Sequence, residues 1–454
     1  MELAIFSLLA LVMGAFYLYI GYSSSRKNQT LTDFFLAGKD VGIFALSMSL
    51  IATQLGGGAI LGTSQEAYTN GFSAFAYIFG ICLGFILLAA GFAKKIRAQR
   101  VATIAQIFEK RYQSPLLTKA ASLASVASLG GVLIAQMVGS RSLLIALHVY
   151  SPTLFSILWA IVIIYTMMGG LKAVIENNTF QLIFIILVFV SLFFVDLFWY
   201  PQATPMIDGF SKGTDLCGNS IIRFFTIALT PALYSLFEQD IAQTIIAAKN
   251  QRTVFWGTIG AAIGMISFAY IPFYFGIQAA QLPEVIAHIH NGAQPLMALI
   301  TNKYGSLVQL LVTYGILAAI LSTANSLLCA ISSHITLDFH LSKEKNSLWM
   351  PKLVTLLVGF TAFILALSSA SIIDILVLSY LIPIATIFIP IIAAYFFTTV
   401  SRTGAYITFI TGSLGYIATL TGILPSWGIW ATIALNTLVY STCWLSAKKK
   451  LSAN

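Results

Sequence analysis

Ser49-Leu50-Ile51-Ala52-Thr53-Gln54-Leu55-Gly56-Gly57-Gly58-Ala59 is the stretch on which the fold turns. It lies in the middle of an apolar run, residues 43–67, and a helix that crosses a bilayer needs about 20 such residues. Three consecutive glycines weaken a helix by about 1 kcal/mol each relative to alanine, so the run is expected to unwind at its midpoint. Backbone groups freed at membrane depth are tolerated only where protein buries them or where they line a cavity. Close packing of small residues is the plainer alternative. A second interruption follows at Thr230-Pro231-Ala232, midway along the run 222–246, where proline removes a donor and crowds the preceding turn. The broken runs are the second and the seventh along the chain. That spacing is expected of two five-helix repeats, helices 2–6 and 7–11, each opened by a discontinuous helix and sharing a binding site.

Outward from these breaks, the chain reads as membrane-embedded and all-α. Of its 454 residues 58% are apolar and 9% charged, and the mean hydropathy is +0.90. Soluble proteins carry about 25% charged residues, so a multidomain soluble enzyme is excluded. Thirteen runs are candidate spans, near 3–21, 43–67, 72–93, 120–148, 152–168, 179–199, 222–246, 254–278, 305–337, 352–370, 373–398, 404–421 and 427–446. The first has no basic residue before it and is followed by Arg26-Lys27. It reads as a retained helix with its N-terminus outside, and not as a cleaved signal peptide. On that orientation 20 of the 24 Lys and Arg fall on the inner side, Lys212, Arg223 and Lys303 fall outside, and Arg141 lies within a span. The net charge of +9 therefore describes orientation, with a cytoplasmic C-terminus, and not a nucleic-acid partner.

The chain is expected to form one transmembrane unit over 1–454. An extra helix and inner loop occupy 1–41, the repeats 42–200 and 201–399, and two C-terminal helices with a short inner tail 400–454. The inner stretch 94–119 is expected to be amphipathic and to lie at the interface. Three of the four cysteines fall in apolar runs and only Cys217 in a polar loop, so no disulfide framework is available. There is no P-loop, nucleophile–base constellation or metal-ligand cluster, and His148, His288, His290, His334 and His340 are not at metal spacing within a span. An enzyme is not expected.

In Ala318-Ala319-Ile320-Leu321-Ser322-Thr323-Ala324-Asn325-Ser326, residues 319, 322 and 323 share one helix face, which presents a carbonyl and two hydroxyls. Opposite the carbonyls freed near Ala52 and Leu55, they make a candidate five-oxygen cage of neutral ligands, suited to a monovalent cation such as sodium. Hydroxyls bonded back to their own helix are the alternative.

These residues resemble the sodium:solute symporter family, which includes proline, pantothenate, sialic acid and sugar transporters. The resemblance runs from about Asp33 to Gly412 through Asp33-Phe34-Phe35-Leu36-Ala37-Gly38-Lys39, Ser49 to Gln54, Glu66-Ala67-Tyr68-Thr69-Asn70-Gly71 and Ala135-Gln136-Met137-Val138-Gly139. It continues through Tyr165 to Val174, with Gly169-Gly170-Leu171-Lys172-Ala173, then Gln239-Asp240-Ile241-Ala242-Gln243 with Ala247-Ala248-Lys249, and the Ala319 to Ser326 stretch. It implies the leucine-transporter (LeuT) fold, with one helix before the ten-helix core and two after it. It also implies sodium as coupling ion, held by the carbonyls of Ala52, Leu55 and Ala319 and the hydroxyls of Ser322 and Thr323. Where the family usually has Trp-Thr-Asp this chain has Glu176-Asn177-Asn178, and Asn325 replaces a residue that is often small or hydroxylic. Asn178 in place of the Asp implies one sodium per cycle; Glu176 lies about 200° around the helix and is no substitute.

Arg141 is the basic residue deep in a span, and an intramembrane arginine is a functional hypothesis. Its guanidinium suits a carboxylate, so an acidic or zwitterionic organic solute is expected; pairing with Glu66 or with backbone carbonyls, or snorkelling towards the interface, is the structural alternative. Thr53, Gln54, the Gly56, Gly57 and Gly58 backbone and Gln136 are the other candidate solute contacts. Tyr68, Asn178, Tyr234, Phe237, Asp240, Asn325 and Ser326 are candidates for gating or coupling, and Asp196 is a candidate interfacial group. The chain thus reads as a carrier in a plasma membrane, a bacterial inner membrane, taking up a small organic solute with sodium by alternating access, for which a monomer suffices. A proton-coupled or uncoupled carrier on the same fold is the rival, and a channel or membrane enzyme the more distant one.

Overall fold

The computed structural model describes residues 2–146, 149–199, 219–290, 294–342, 347–368, 372–424 and 428–453. Cys217, His148 and most of the outer loop after residue 199 lie outside them. All regular elements among the described residues are helices, and the one extended contact is an isolated bridge between Val41 and Ala248.

The triple glycine interrupts its helix as expected. Ile43–Gln54 ends at Leu55 (φ −85°, ψ 35°), Gly58–Gly62 winds as a wide π-type turn, and Thr63–Asn70 continues to the far side. The N–H of Ala59 donates to the Gly56 carbonyl (3.0 Å) and not to that of Leu55. The second break needs a correction. The helix Asn219–Tyr234 runs straight through Pro231, whose carbonyl accepts from the Ser235 N–H (3.0 Å) and Ser235 Oγ (2.7 Å). The chain opens four residues later, at Ser235 to Glu238, and resumes as Gln239–Ala247 from an extended Glu238 (φ −64°, ψ 128°). Proline costs only the one donor it lacks, whereas Glu238, with an extended backbone, cannot continue the helix.

Ile43–Gln54 of the first broken helix and Gln239–Ala247 of the second lie against each other. Val41 N–H donates to Ala247 O (3.1 Å) and Lys249 N–H to Val41 O (3.0 Å), and Arg97 places its guanidinium on the carbonyls of Ile245 (2.8 Å), Ile246 (3.2 Å) and Ala248 (2.7 Å). A cation at a helix C-terminus satisfies carbonyls that have no helical partner and opposes the negative end of the dipole. Arg97 belongs to the stretch expected to lie amphipathically at the interface. That stretch forms two short helices, Ala93–Ala98 and Gln106–Tyr112, with a linker between them; Ile104, Ile107 and Phe108 are buried, Lys94, Lys95, Glu109 and Lys110 are exposed, and Ile104 N–H is held by Gln239 Oε1 (2.8 Å).

By length and hydropathy, seven helices among the described residues can cross a membrane, or eight if the pair Ser379–Thr386 and Phe388–Phe396, bent by 50°, counts as one span. The count of seven treats Pro152–Trp199 as one although its kink at Gly170 separates two of the expected runs, and it leaves out Ile43–Gln54, cut to 12 residues by its break. Pro152–Trp199 packs on Glu2–Ser25, Ile43–Gln54 and Ser306–Ser333, and the last of these is buried at every residue from Val312 to its end. A helix buried all round must pair its polar side chains inside, and this one carries Ser322, Thr323, Asn325 and Ser326.

Gly170 turns Pro152–Trp199 between its two halves, with φ 58° and ψ −151°, and a Cβ there would stand 2.3 Å from the Phe34 carbonyl. An L side chain rarely adopts this backbone, and a carbonyl cannot step aside. Gly170→Ala is therefore expected to destabilise the protein by about 2–4 kcal/mol, read as a lower melting temperature in detergent. An unchanged melting temperature would contradict the geometry.

Candidate functional site

The Ser306–Ser333 helix meets the first break through two hydroxyls. Ser322 Oγ lies 2.8 Å from the Ala52 carbonyl and 2.9 Å from that of Ala319, and Thr323 Oγ1 lies 2.8 Å from the Thr53 carbonyl and 3.2 Å from that of Ala319. Each hydroxyl shares one proton between its own helix and the last turn of the neighbour. Ala52, Leu55, Ala319 and Ser322 are fully buried and Thr323 is nearly so. The N–H that would bond to Leu55 O in a continuous helix goes to Gly56, which leaves that carbonyl for another partner. Buried neutral oxygens from two helices suit a bare monovalent cation, once the hydroxyl protons rotate off the carbonyls they now serve.

A polar layer adjoins these oxygens. The Asn178 amide, with its oxygen toward Ser326 Oγ (3.0 Å) and Ser49 Oγ (3.2 Å), has its nitrogen 3.2 Å from the Ser322 carbonyl and 3.0 Å from Asn325 Oδ1. Asn325 Nδ2 donates to Tyr165 Oη (2.8 Å), and Ser326 Oγ pairs with Thr53 Oγ1 (2.9 Å). Asn178, Asn325, Ser326 and Thr53 are thus brought together, and the Thr53 hydroxyl faces the Ser306–Ser333 helix. Glu176 points the other way, accepting from Ser24 Oγ (2.8 Å) on the first helix.

Next to the cage, a Cβ on Gly56 would stand 2.7 Å from Thr323 Oγ1 and 3.3 Å from Gln136 Nε2, and one on Gly57 3.0 Å from Ile320. Gly58 is exposed, and a Cβ there meets nothing within 4 Å. Beyond it Gly62 and Thr69 are exposed and Gln65, Glu66 and Tyr68 half-buried, while Thr63, Ser64 and Ala67 are buried on the opposite face. An open face that carries Gln65, Glu66 and Thr69 suits water and not lipid. Gln54 turns toward the second break, where its Nε2 donates to Glu238 Oε2 (3.2 Å). Asp240 takes the Ile241 N–H on Oδ1 (2.8 Å). Tyr234 donates to or accepts from Ser128 Oγ (2.9 Å) and stacks edge-on with Phe237 at 5.5 Å.

Glu238 was not singled out in the sequence, although a carboxylate within the seventh apolar run is a functional signal in itself. Asp196 is fully buried and gathers Tyr274 Oη (2.8 Å), Gln278 Nε2 (2.5 Å), Tyr304 Oη and an ion pair with Lys303 (2.5 Å). It ties the C-terminal end of Pro152–Trp199 to the helix Gln251–Ala279 and to Lys303 and Tyr304 at the end of Pro295–Lys303.

Arg141 is not brought to the cage. Its Nη1 donates to the carbonyls of Ala366 (3.2 Å) and Leu367 (2.9 Å) in the last turn of Trp349–Ser368. This is the backbone-carbonyl alternative, and the physics is that of a C-terminal cap. Arg141→Ala is expected to lower stability by about 1 kcal/mol and to leave the stabilisation of the protein by sodium in place, both read by thermal melting. Loss of the sodium effect alone would return the residue to the transport site.

Comparison with known proteins gives the family and the fold. The profile of the sodium:solute symporter family matches residues 34–412. A sodium/glucose cotransporter of Vibrio parahaemolyticus is 24% identical over 415 residues, which cover 82% of this chain and 74% of that protein. Sodium/proline symporter 2 of Staphylococcus saprophyticus is 24% identical over 456 residues, covering 90% and 84%. Among solved structures, a substrate-bound, outward-open Na+-coupled sialic acid symporter superimposes with a TM-score of 0.80 at 18% identity, over 98% of this chain and 97% of that one. Its fold is the one the sequence implied. The chain belongs to the sodium:solute symporter family, as an integral membrane transporter that couples a solute to sodium.

Proposed function

We propose that one sodium ion per cycle binds to the carbonyls of Ala52, Leu55 and Ala319 and the hydroxyls of Ser322 and Thr323, and drives uptake of a small organic solute by alternating access. The observation that carries this is the pair of hydroxyls, Ser322 and Thr323, set on the carbonyls at the end of Ile43–Gln54. Sodium at these oxygens would hold the broken helix to the rigid one, and its release would free the break. By linkage, a solute whose affinity rises with sodium must raise sodium affinity by the same factor. Gln54, Gly56, Gly57, Gly58 and Gln136 border the space beside the cage and are its solute-facing residues. Asn178 supports a stoichiometry of one, because a neutral amide among hydroxyls brings no charge to balance a second cation.

The same reading extends to the topology. Thirteen spans in a five-plus-five arrangement, with the N-terminus outside and the C-terminus in the cytoplasm, place the polar face beyond Gly58 on the outer side. Sodium binding to the purified protein, followed by thermal melting against potassium, is expected to saturate with a Hill coefficient of about 1. Potassium acting as well as sodium, or a steeper sodium dependence matched by two ions in flux, would contradict the assignment.

A further inference from the structure

Glu238 stands in the gap of the second broken helix, 6% exposed, and Gln54 is its hydrogen-bond partner across the first gap. Two residues on, Asp240 is 4% exposed, and its Oδ2 is buried without a hydrogen-bond partner. The two carboxyl groups are close enough to interact. Among the described residues no Lys, Arg or His forms an ion pair with either of them. Two carboxyl groups this close and this buried hold at most one negative charge between them, and a cation brought by the solute would balance it.

The surroundings narrow its chemistry. Tyr234, one turn before Glu238, has its ring 5.0 Å from that of Tyr380 and 5.5 Å from that of Phe237. Glu238 is near enough to Tyr77, Tyr234 and Tyr380 to act on all three electrostatically. Tyr77 and Tyr380 are only half-buried, which leaves the group open on one side. Aromatic faces attract large, weakly hydrated cations, whereas sodium, calcium and magnesium need several oxygens at close range. Among the described residues there is no group of three or more His, Cys, Asp or Glu that could hold a metal ion.

We propose that Glu238, with Asp240 behind it and Tyr77, Tyr234, Tyr380 and Phe237 around it, binds the positive charge of an organic ammonium, and that this is the solute carried with sodium. The inference rests on the sodium-coupled reading above and names its substrate class. Sodium and solute then use different chemistry, neutral oxygens for the first and a carboxylate with ring faces for the second. A solute recognised this way can also carry a carboxylate, but its ammonium is what the protein selects.

The test uses the full-length protein in detergent with sodium present, and choline, glycine betaine, proline and the neutral tert-butyl analogue of choline as probes. At least one ammonium compound is expected to raise the melting temperature, and the tert-butyl analogue is not. Glu238→Gln is expected to weaken that binding by about tenfold or more while keeping the shift caused by sodium alone, which shows that the variant is folded. Should it not fold, Tyr380→Leu carries the same test with a loss of about fivefold. Silence from every ammonium compound, equal binding of the tert-butyl analogue, or wild-type affinity in a folded Glu238→Gln would overturn the inference and leave the sodium reading standing. Absence of any sodium shift in the wild type would defeat both.

Discussion

Ser322→Ala and Thr323→Ala are each expected to weaken sodium binding by about 10- to 100-fold, and the double variant to abolish sodium-driven uptake. Each substitution removes one of the proposed oxygen ligands. It also takes the donor from a buried carbonyl, Ala52 for Ser322 and Thr53 for Thr323, and such a loss costs about 1–3 kcal/mol. Both effects fall on the sodium-free and sodium-bound forms differently, so sodium titration separates them from simple destabilisation. Thr313→Ala serves as the control: its hydroxyl lies on the same helix and is buried, but bonds only back to Gln309 O (2.7 Å). That variant should keep the sodium affinity of the wild type. Equal sodium dependence in Thr323→Ala and Thr313→Ala would remove the cage from the account.

Gly56→Ala is expected to reduce transport by about 100-fold or more. Its added methyl would stand 2.7 Å from Thr323 Oγ1, against a side chain that is itself bonded to Thr53. To make room, Thr323 must rotate off the carbonyl it holds, and Gln136, 3.3 Å away, must shift as well. The protein should still reach the membrane, because both displaced groups are side chains. Gly58→Ala provides the contrast, since a Cβ there points into open space. It should retain wild-type sodium affinity and alter only the response to solute. If Gly56→Ala bound sodium as the wild type does, the break would not be coupled to the cage in the way described.

The meeting of Ser322 and Thr323 with the first break was legible in the sequence because each part leaves a local mark. Three glycines in an apolar run mark a break, and a Ser-Thr pair at helical spacing from Ala319 marks one polar face. Ser326 lies in the second of these stretches and Asn178 came from the family resemblance, and the structure sets them in one hydrogen-bonded layer. What a sequence pattern does not encode is which helix a side chain will meet. Arg141 carried the strongest single signal, a cation in hydrocarbon, yet its neighbours are the last carbonyls of a helix more than 220 residues away in sequence. Pro231 drew attention to the right helix but not to the right turn, since a helix tolerates one missing donor and the extended backbone at Glu238 makes the gap. Glu238 was hidden by its position beside the more familiar Gln239-Asp240, and its partner Gln54 lies across the space between the two breaks. In the stretch 94–119 nothing in the sequence marks Arg97 as the residue whose charge is used on the carbonyls of Ile245, Ile246 and Ala248.

The most direct test of sodium coupling through this site is uptake of a labelled ammonium solute into proteoliposomes, compared with an inward sodium gradient and with potassium in its place. The account predicts accumulation above equilibrium with sodium, collapse of that accumulation with potassium, and no accumulation in the Ser322→Ala, Thr323→Ala double variant under either condition. Equal accumulation in sodium and potassium, or full sodium-driven accumulation by the double variant, would contradict it.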